Sequence, residues 1–274
     1  MTRLKDFDVE PLARDIRCHA LTMVHRARAS HIGSCLSAAD ILAHLYGYWL
    51  RVSPENPSAR DRDYFFLSKG HAAAALYGAL AAVGFFNERL LQSYSTDGSD
   101  FAGSVSHRVP GVELSSGSLG HGLPVATGLA LASKRTGREN RAAVLLSDGE
   151  CDEGSVWEAA LFAGSHRLDN LLAIVDYNKL QGFGRTDAVH PLEPFGRKWS
   201  AFGWNVREID GHDHLQIRET LSAVPFAPGA PSVIIAHTRK GKGVPFMEDR
   251  LEWHYKSPTD DELAEAVDLL QAAR

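Results

Sequence analysis

Residues 146–154 read LSDGECDEG, so that Asp148, Glu150, Asp152 and Glu153 crowd around Gly149 and Gly154 directly after the apolar run 142–146. Acidic turns of this kind are most often solvated connections between a strand and a helix. The other reading is a site for a cation, or for something a cation carries. Magnesium takes an octahedron of oxygens, commonly one or two carboxylates or amides completed by phosphate oxygens and water. Asn178 lies 30 residues beyond Asp148, room for one helix and one strand. A parallel crossover of that length returns the chain beside its start, where both side-chain oxygens can converge on one ion. Gly149 allows close approach to a phosphate, and the N-terminus of a following helix offers free amides and a positive dipole end. Two other phosphate devices fail. RKGKGV (239–244) lacks the first glycine and the Ser or Thr of a Walker loop, and GSLGHG (117–122) inverts the dinucleotide spacing.

The elements needed to position such a site are legible in the periodicity. Apolar residues at Leu12, Ile16, Ala20, Met23, Val24 and Ala27 predict a helix over 11–29. The stretch SHIGSCLS (30–37) reads as a loop, with Ser37 as N-cap and Asp40 at N3 of a second helix over 38–50. A charged turn, RDRD, leads into a strand at 64–67, then Gly70 and His71, then an alanine-rich helix over 72–83. Residues 101–119 are rich in Gly, Ser and Pro, and a loop of that length is commonly functional. Helices at 122–134, 155–166 and 215–224 alternate with strands at 142–146, 171–175, 205–209 and 232–236, and a last helix spans 260–273. This alternation predicts an α/β fold, a parallel sheet covered by helices on both faces, in one domain over 1–274. Such sheets bind ligands beyond the carboxyl ends of their strands. His71, Asp148, residues 176–178 and residues 238–243 all fall there.

Composition narrows the partners. The 274 residues carry 29 basic and 34 acidic side chains, a net charge of −5, which argues against nucleic acid and anionic membranes as partners. Cys18, Cys35 and Cys151 form no CxxC or zinc spacing, and an odd count argues against a disulfide framework. The charged opening segment 1–15 has no apolar core and no run approaches a membrane span, so a cytoplasmic location is expected.

The stretch SDGECDEGSVWEAALFAGSHRLDNLLAIVDYNKLQGFG (147–184) resembles the thiamine diphosphate fingerprint in its transketolase form, with the EGxxWEA helix. ASHIGSCLSAADILAHLY, SKGHAAAALY, PGVELSSGSLGHG, DGHD, TRKGKGVPFMED and WH occur in the same order as in transketolases encoded as two polypeptides. The resemblance implies a thiamine diphosphate-binding fold of the diphosphate (PP) type, and transfer of a two-carbon ketol unit from a ketose to an aldehyde. It implies Mg²⁺, or Ca²⁺ or Mn²⁺ in its place, held by Asp148, Asn178 and the Leu180 carbonyl. Backbone amides of Gly149 and Glu150 would approach the diphosphate, and Gly117 and Leu119 would line the aminopyrimidine side. His31, His71 and His254 match histidines that face the diphosphate and the sugar, and Glu153 matches an acid near the interface between chains. The pyrimidine-binding domain with its activating glutamate is expected on a partner chain, in an α2β2 assembly.

The sequence departs from that pattern at several points. Ser104 stands where transketolases carry the histidine of GHP, with His107 nearby; His121 replaces a glutamine, Ser147 a glycine, and Tyr255 the glycine after WH. These changes touch the substrate side more than the cofactor side. Rival readings are the α chain of a 2-oxoacid decarboxylase or dehydrogenase, which shares the cofactor without this histidine set, and a non-catalytic cofactor-binding subunit.

Overall fold

The computed structural model describes residues 7–272; Ala273, the expected end of the last helix, and the first six residues of the charged opening segment lie outside them. Strands β1 (Tyr64–Leu67), β2 (Ala142–Ser147), β3 (Leu171–Tyr177), β6 (Asn205–Asp210) and β7 (Ser232–His237) form one parallel sheet in the order β1-β2-β3-β7-β6. A two-stranded hairpin, β4 (Leu180–Gln181) and β5 (Gly184–Arg185), projects beyond β3. The expected fold class is therefore observed.

Side chains alternate along the central strands as the pleat requires. Ala143, Leu145, Leu172 and Ile174 enter one core with helices α1 (Val9–Ala27), α2 (Ile32–His44), α3 (Ala73–Ala82), α8 (His214–Ser222) and α9 (Asp260–Ala272). Ala142, Val144, Leu146, Ala173 and Val175 enter the other, with α4 (Gly122–Arg135), α5 (Gly154–Ser165) and α7 (Phe195–Ala201). A single turn, α6 (Thr186–Val189), follows the hairpin. Both α6 and α7 are too short to show a period, and the sequence reading passes over them.

One boundary is displaced. Helix α2 begins at Ile32, not after Ser37, because His31 takes a left-handed conformation (φ 73°) that turns the chain straight into the helix. Ser37 is thus in the second turn, and its hydroxyl donates to Asp176 Oδ2 at 2.6 Å instead of capping. Asp40, expected at N3, is buried and takes a bidentate bond from Arg17 Nη1 and Nη2 at 2.9 and 2.6 Å. Beside it, His44 Nε2 lies 3.1 Å from His214 Nδ1.

The RDRD turn, which reads as a solvated charge run, buries one of its acids. Asp63 has no exposed surface and accepts from the backbone amides of Arg51 and Arg141 at 2.9 and 3.0 Å, and from both guanidinium groups. It staples the N-terminal edges of β1 and β2, at the end of the sheet opposite the strand exits.

Asp63→Ala strands two half-buried guanidinium groups and is expected to lower unfolding free energy by about 3 kcal/mol in urea denaturation, with cofactor affinity unchanged in the folded fraction. Burial, reinforced by His214, pushes His44 down to about 4. The unfolded chain then takes up a proton near pH 6.5 that the folded chain refuses. Stability from this group is full above pH 6.5 and declines by up to about 3 kcal/mol as pH falls towards 4; His44→Gln should flatten that part of the stability profile relative to the wild type.

Candidate active site

Four strand exits meet over the carboxyl edge of the sheet. After β1 the chain runs through Ser68, Lys69 and Gly70 into a single turn bearing His71. Gly70 is required here, since a Cβ would lie 2.4 Å from the Ser116 carbonyl oxygen. The 101–119 loop crosses at that point and brings Gly117 and the half-buried Leu119 to the rim.

After β2, Asp148 is almost wholly buried. Its Oδ1 accepts from the Gly149 amide at 2.7 Å and its Oδ2 from the Lys179 amide at 2.6 Å. Burial, then the neighbouring Asp176 carboxylate, push its pKa up to about 6. Among the described residues it has no ion-pair partner, and the Lys240 ammonium offsets only part of the rise. After β3, Asn178 Oδ1 accepts from the Leu180 amide at 3.1 Å, and the turn between them needs a left-handed Lys179 (φ 65°). Asp148 and Asn178 thus leave adjacent strands, and the Lys179 amide next to Asn178 is what reaches Asp148 Oδ2. Among the described residues no three His, Cys, Asp or Glu side chains converge as a metal centre, so an ion at this place would need amide, carbonyl and ligand oxygens.

The acids of the opening stretch divide sharply. Glu150 turns inward, accepting from Ser68 Oγ, from the Gly120 amide at 2.8 Å and from the Ser147 amide at 3.2 Å. Its own amide donates to Ser147 Oγ at 3.3 Å, and that of Gly149 is taken by Asp148, so both amides expected to face a phosphate are internally bonded. A short turn, Gly149–Asp152, separates them from the start of α5. Asp152 accepts from Gln181 Nε2 at 2.8 Å. The Glu153 side chain is exposed and makes no hydrogen bond or ion pair among the described residues.

The three histidines do gather. Ring centroids of His31 and His254 are 4.8 Å apart, those of His31 and His71 5.1 Å, and those of His71 and His254 6.0 Å. The His31 amide donates to the His254 carbonyl at 2.9 Å, fixing α2 against the C-terminal segment. His254 Nδ1 accepts from Lys240 Nζ at 2.8 Å, which leaves the imidazole proton on Nε2. Burial, then the ammonium groups of Lys240 or Lys69, hold His31 below its ordinary value, His71 well below, and His254 at about 3. All three are neutral imidazoles at neutral pH, able to accept or donate a proton.

Several site residues escape the sequence reading. Lys69 and Lys240 look like solvated loop charges, each followed by a glycine, yet both are buried. Lys69 pairs with Asp176, whose carboxylate also accepts from Thr238 Oγ1. Lys240 Nζ donates to the Leu180 carbonyl at 2.8 Å, and burial brings it down to about 8. The usable signal is position, a lysine next to glycine just past a strand end. On the other side of the site, Ser104 Oγ is 3.5 Å from where a Gly117 side chain would begin. His107 is tied to Ser115 Oγ at 2.7 Å and makes no ring contact with the three histidines; His121 is exposed at the start of α4.

A family profile described as transketolase, thiamine diphosphate binding domain, matches residues 9–270. The chain is 41% identical to one of the subunits of the apulose-4-phosphate transketolase of Phocaeicola vulgatus over 251 residues, which cover 92% of this chain and 89% of that protein. It is 40% identical to a 6-deoxy-6-sulfo-D-fructose transketolase subunit of Clostridium sp. (strain MSTE9), over 96% of each chain. Among solved structures, the transketolase of Campylobacter jejuni superposes with a TM-score of 0.91 at 29% identity, covering 96% of this chain and 42% of that one. The Leishmania mexicana enzyme gives 0.90 at 27%, covering 97% and 41%. This chain thus spans about two fifths of the length of those solved transketolases. Agreement of this extent, in sequence and in fold, means that the chain belongs to the transketolase family, as its thiamine diphosphate-binding domain.

Proposed function

We propose that the chain is a single-domain, diphosphate-binding subunit of a two-chain transketolase, active in the cytoplasm as an α2β2 assembly, that transfers a two-carbon ketol unit from a ketose to an aldehyde. The observation that carries this reading is the placement of Asp148 and Asn178 at adjacent strand exits, together with a cluster of three neutral histidines. The residues fit the expected cofactor. A buried Asp148 with no ion-pair partner among the described residues suits a divalent ion, and two side-chain oxygens with one carbonyl leave coordination for phosphate and water, the preference of Mg²⁺. Asp148, Asn178 and the Leu180 carbonyl would hold the ion, and Lys69 and Lys240 supply positive charge near the diphosphate.

Bound thiamine diphosphate supplies the electron sink for cleaving and forming the carbon–carbon bond. The chain's own residues bind and shuttle protons. His254 presents a proton on Nε2 and is held in that tautomer by Lys240. His31 and His71, neutral and in ring contact with it, can take a proton from one hydroxyl and return it to another as donor gives way to acceptor. Relatives at 40–42% identity are named for ketoses ending in phosphate or sulfonate, which makes an acid-terminated ketose the proposed donor class. Ser104, in place of a histidine, removes one ring from the donor side.

The partner is proposed to carry the pyrimidine-binding domain, since relatives matched over nearly their whole length are named as subunits of a transketolase, which implies a second chain. Apolar surface supports this. Leu161 and Phe162 on α5 are 53% and 42% exposed, and Phe183 at the hairpin tip beside the site is 87% exposed.

The purified chain with thiamine diphosphate and Mg²⁺ should show no ketol transfer, and adding the pyrimidine-binding chain should restore turnover of a ketose donor. Full transfer by this chain alone, or turnover of pyruvate but no ketose by the pair, would sink the reading. Asp148→Asn should weaken Mg²⁺-dependent thiamine diphosphate binding roughly a hundredfold in calorimetric titration of the reconstituted pair; affinity equal to the wild type would remove Asp148 from the metal site.

A further inference from the structure

Residues 210–213, DGHD, carry β6 over the edge of the sheet, and each has a distinct task. Asp210 Oδ1 accepts from the His212 amide at 2.8 Å. Gly211 donates to the His237 carbonyl at 2.8 Å, and a Cβ there would lie 2.4 Å from Thr238 Cγ2, so only glycine lets this turn rest on the β7 exit. Asp213 caps α8 through the amides of Leu215 and Gln216 at 2.9 and 3.0 Å. His212 neither caps nor fills a core. Its Nδ1 is 2.7 Å from Asp40 Oδ2, and its Nε2 is 2.8 Å from the Arg239 amide nitrogen.

The two contacts fix the tautomer. A backbone amide only donates, so Nε2 is the bare acceptor and Nδ1 carries the proton given to Asp40. Asp40 is itself clamped by the Arg17 fork, so the ring can neither flip nor tilt without leaving a buried carboxylate short of a donor. What the ring holds is the residue before Lys240. The Arg239 side chain points away, to Glu248 and Asp249, and the Lys240 carbonyl is held on the far side by the Asp249 amide at 2.9 Å. From that backbone Lys240 extends to the Leu180 carbonyl and His254 Nδ1, each at 2.8 Å.

We infer that His212 is a positioning residue, whose bare Nε2, oriented by the Arg17–Asp40 pair, accepts the Arg239 amide and so sets where Lys240 delivers its ammonium to Leu180 and His254. This rests on the reading of those residues as cofactor and substrate contacts. Small misplacements at such a site are costly to the reaction even when the fold survives.

Two variants separate the contacts, tested in the reconstituted two-chain enzyme. His212→Gln places an amide oxygen near the position of Nε2 and can still accept from Arg239. His212→Asn can keep a donor to Asp40 but falls short of Arg239. The first readout is thiamine diphosphate affinity in Mg²⁺, where the Asn variant should lose roughly tenfold, one hydrogen bond's worth, and the Gln variant less than about threefold. The second is the same H212N substitution in a Lys240→Met background, where the loss should shrink below about twofold because the residue it acts through is gone. Equal losses in both backgrounds, or a Gln variant as poor as the Asn variant, would overturn the inference. Should H212N not fold, the Gln variant decides by the same threefold and tenfold limits. Wild-type enzyme that binds no cofactor would instead bring down the functional reading on which the inference stands.

Discussion

A carboxylate buried at the end of the central strand has to be met by donors, and the way Asp176 is met organises this molecule. Its partners arrive from four directions: Lys69 after β1, Ser37 in α2, Thr238 after β7 and, at 3.5 Å, Asn178 from its own strand exit. Left without the Lys69 ammonium, the buried charge would be unfavourable by roughly 3–5 kcal/mol. Burial alone would raise its pKa, and the Lys69 ammonium with these hydrogen bonds brings it below the ordinary carboxylate value. The three segments bound to it are also those that carry His71, His31 and Lys240, so the histidine cluster and the β3 exit at residues 176–180 cannot shift independently.

The same logic explains why acids concentrated in one short turn do not repel the fold apart. Glu150 is turned inside, pulling the 120 loop and Ser68 together. Asp152 is engaged by Gln181, and Glu153 remains in water. Asp148 accepts only backbone amides among the described residues, and burial followed by the neighbouring Asp176 carboxylate raises its pKa. A turn built this way spreads its acids over different partners and depths, so like charge does not accumulate at one point.

Sequence periodicity is enough for the sheet, its helical cover and the placing of Asp148 and Asn178 at strand exits, because strands and helices of ordinary length announce themselves by spacing. It fails where one residue's conformation decides the outcome. Nothing in SHIGSCLS signals that His31 adopts a left-handed backbone and starts α2 six residues early, and a serine followed three places on by an aspartate looks like a cap although both side chains are claimed by distant partners. Family resemblance names His31, His71 and His254, and the rings are in contact; it names Glu153 for an interface between chains, and that side chain is exposed. Lys69 and Lys240 are hidden for a physical reason. A lysine in a loop is ordinarily solvated, and burial of its ammonium depends on carboxylates and carbonyls brought from elsewhere in the chain.

His31 differs in kind from its neighbours. Its left-handed backbone is disfavoured by roughly 1–2 kcal/mol for a residue with a Cβ, and asparagine or glycine would occupy the same turn with less strain. The chain carries an imidazole there instead, in contact with two others. That makes residue 31 a place where robustness and chemistry pull in opposite directions: improving the scaffold by relaxing this turn would remove a ring from the cluster the turn exists to present.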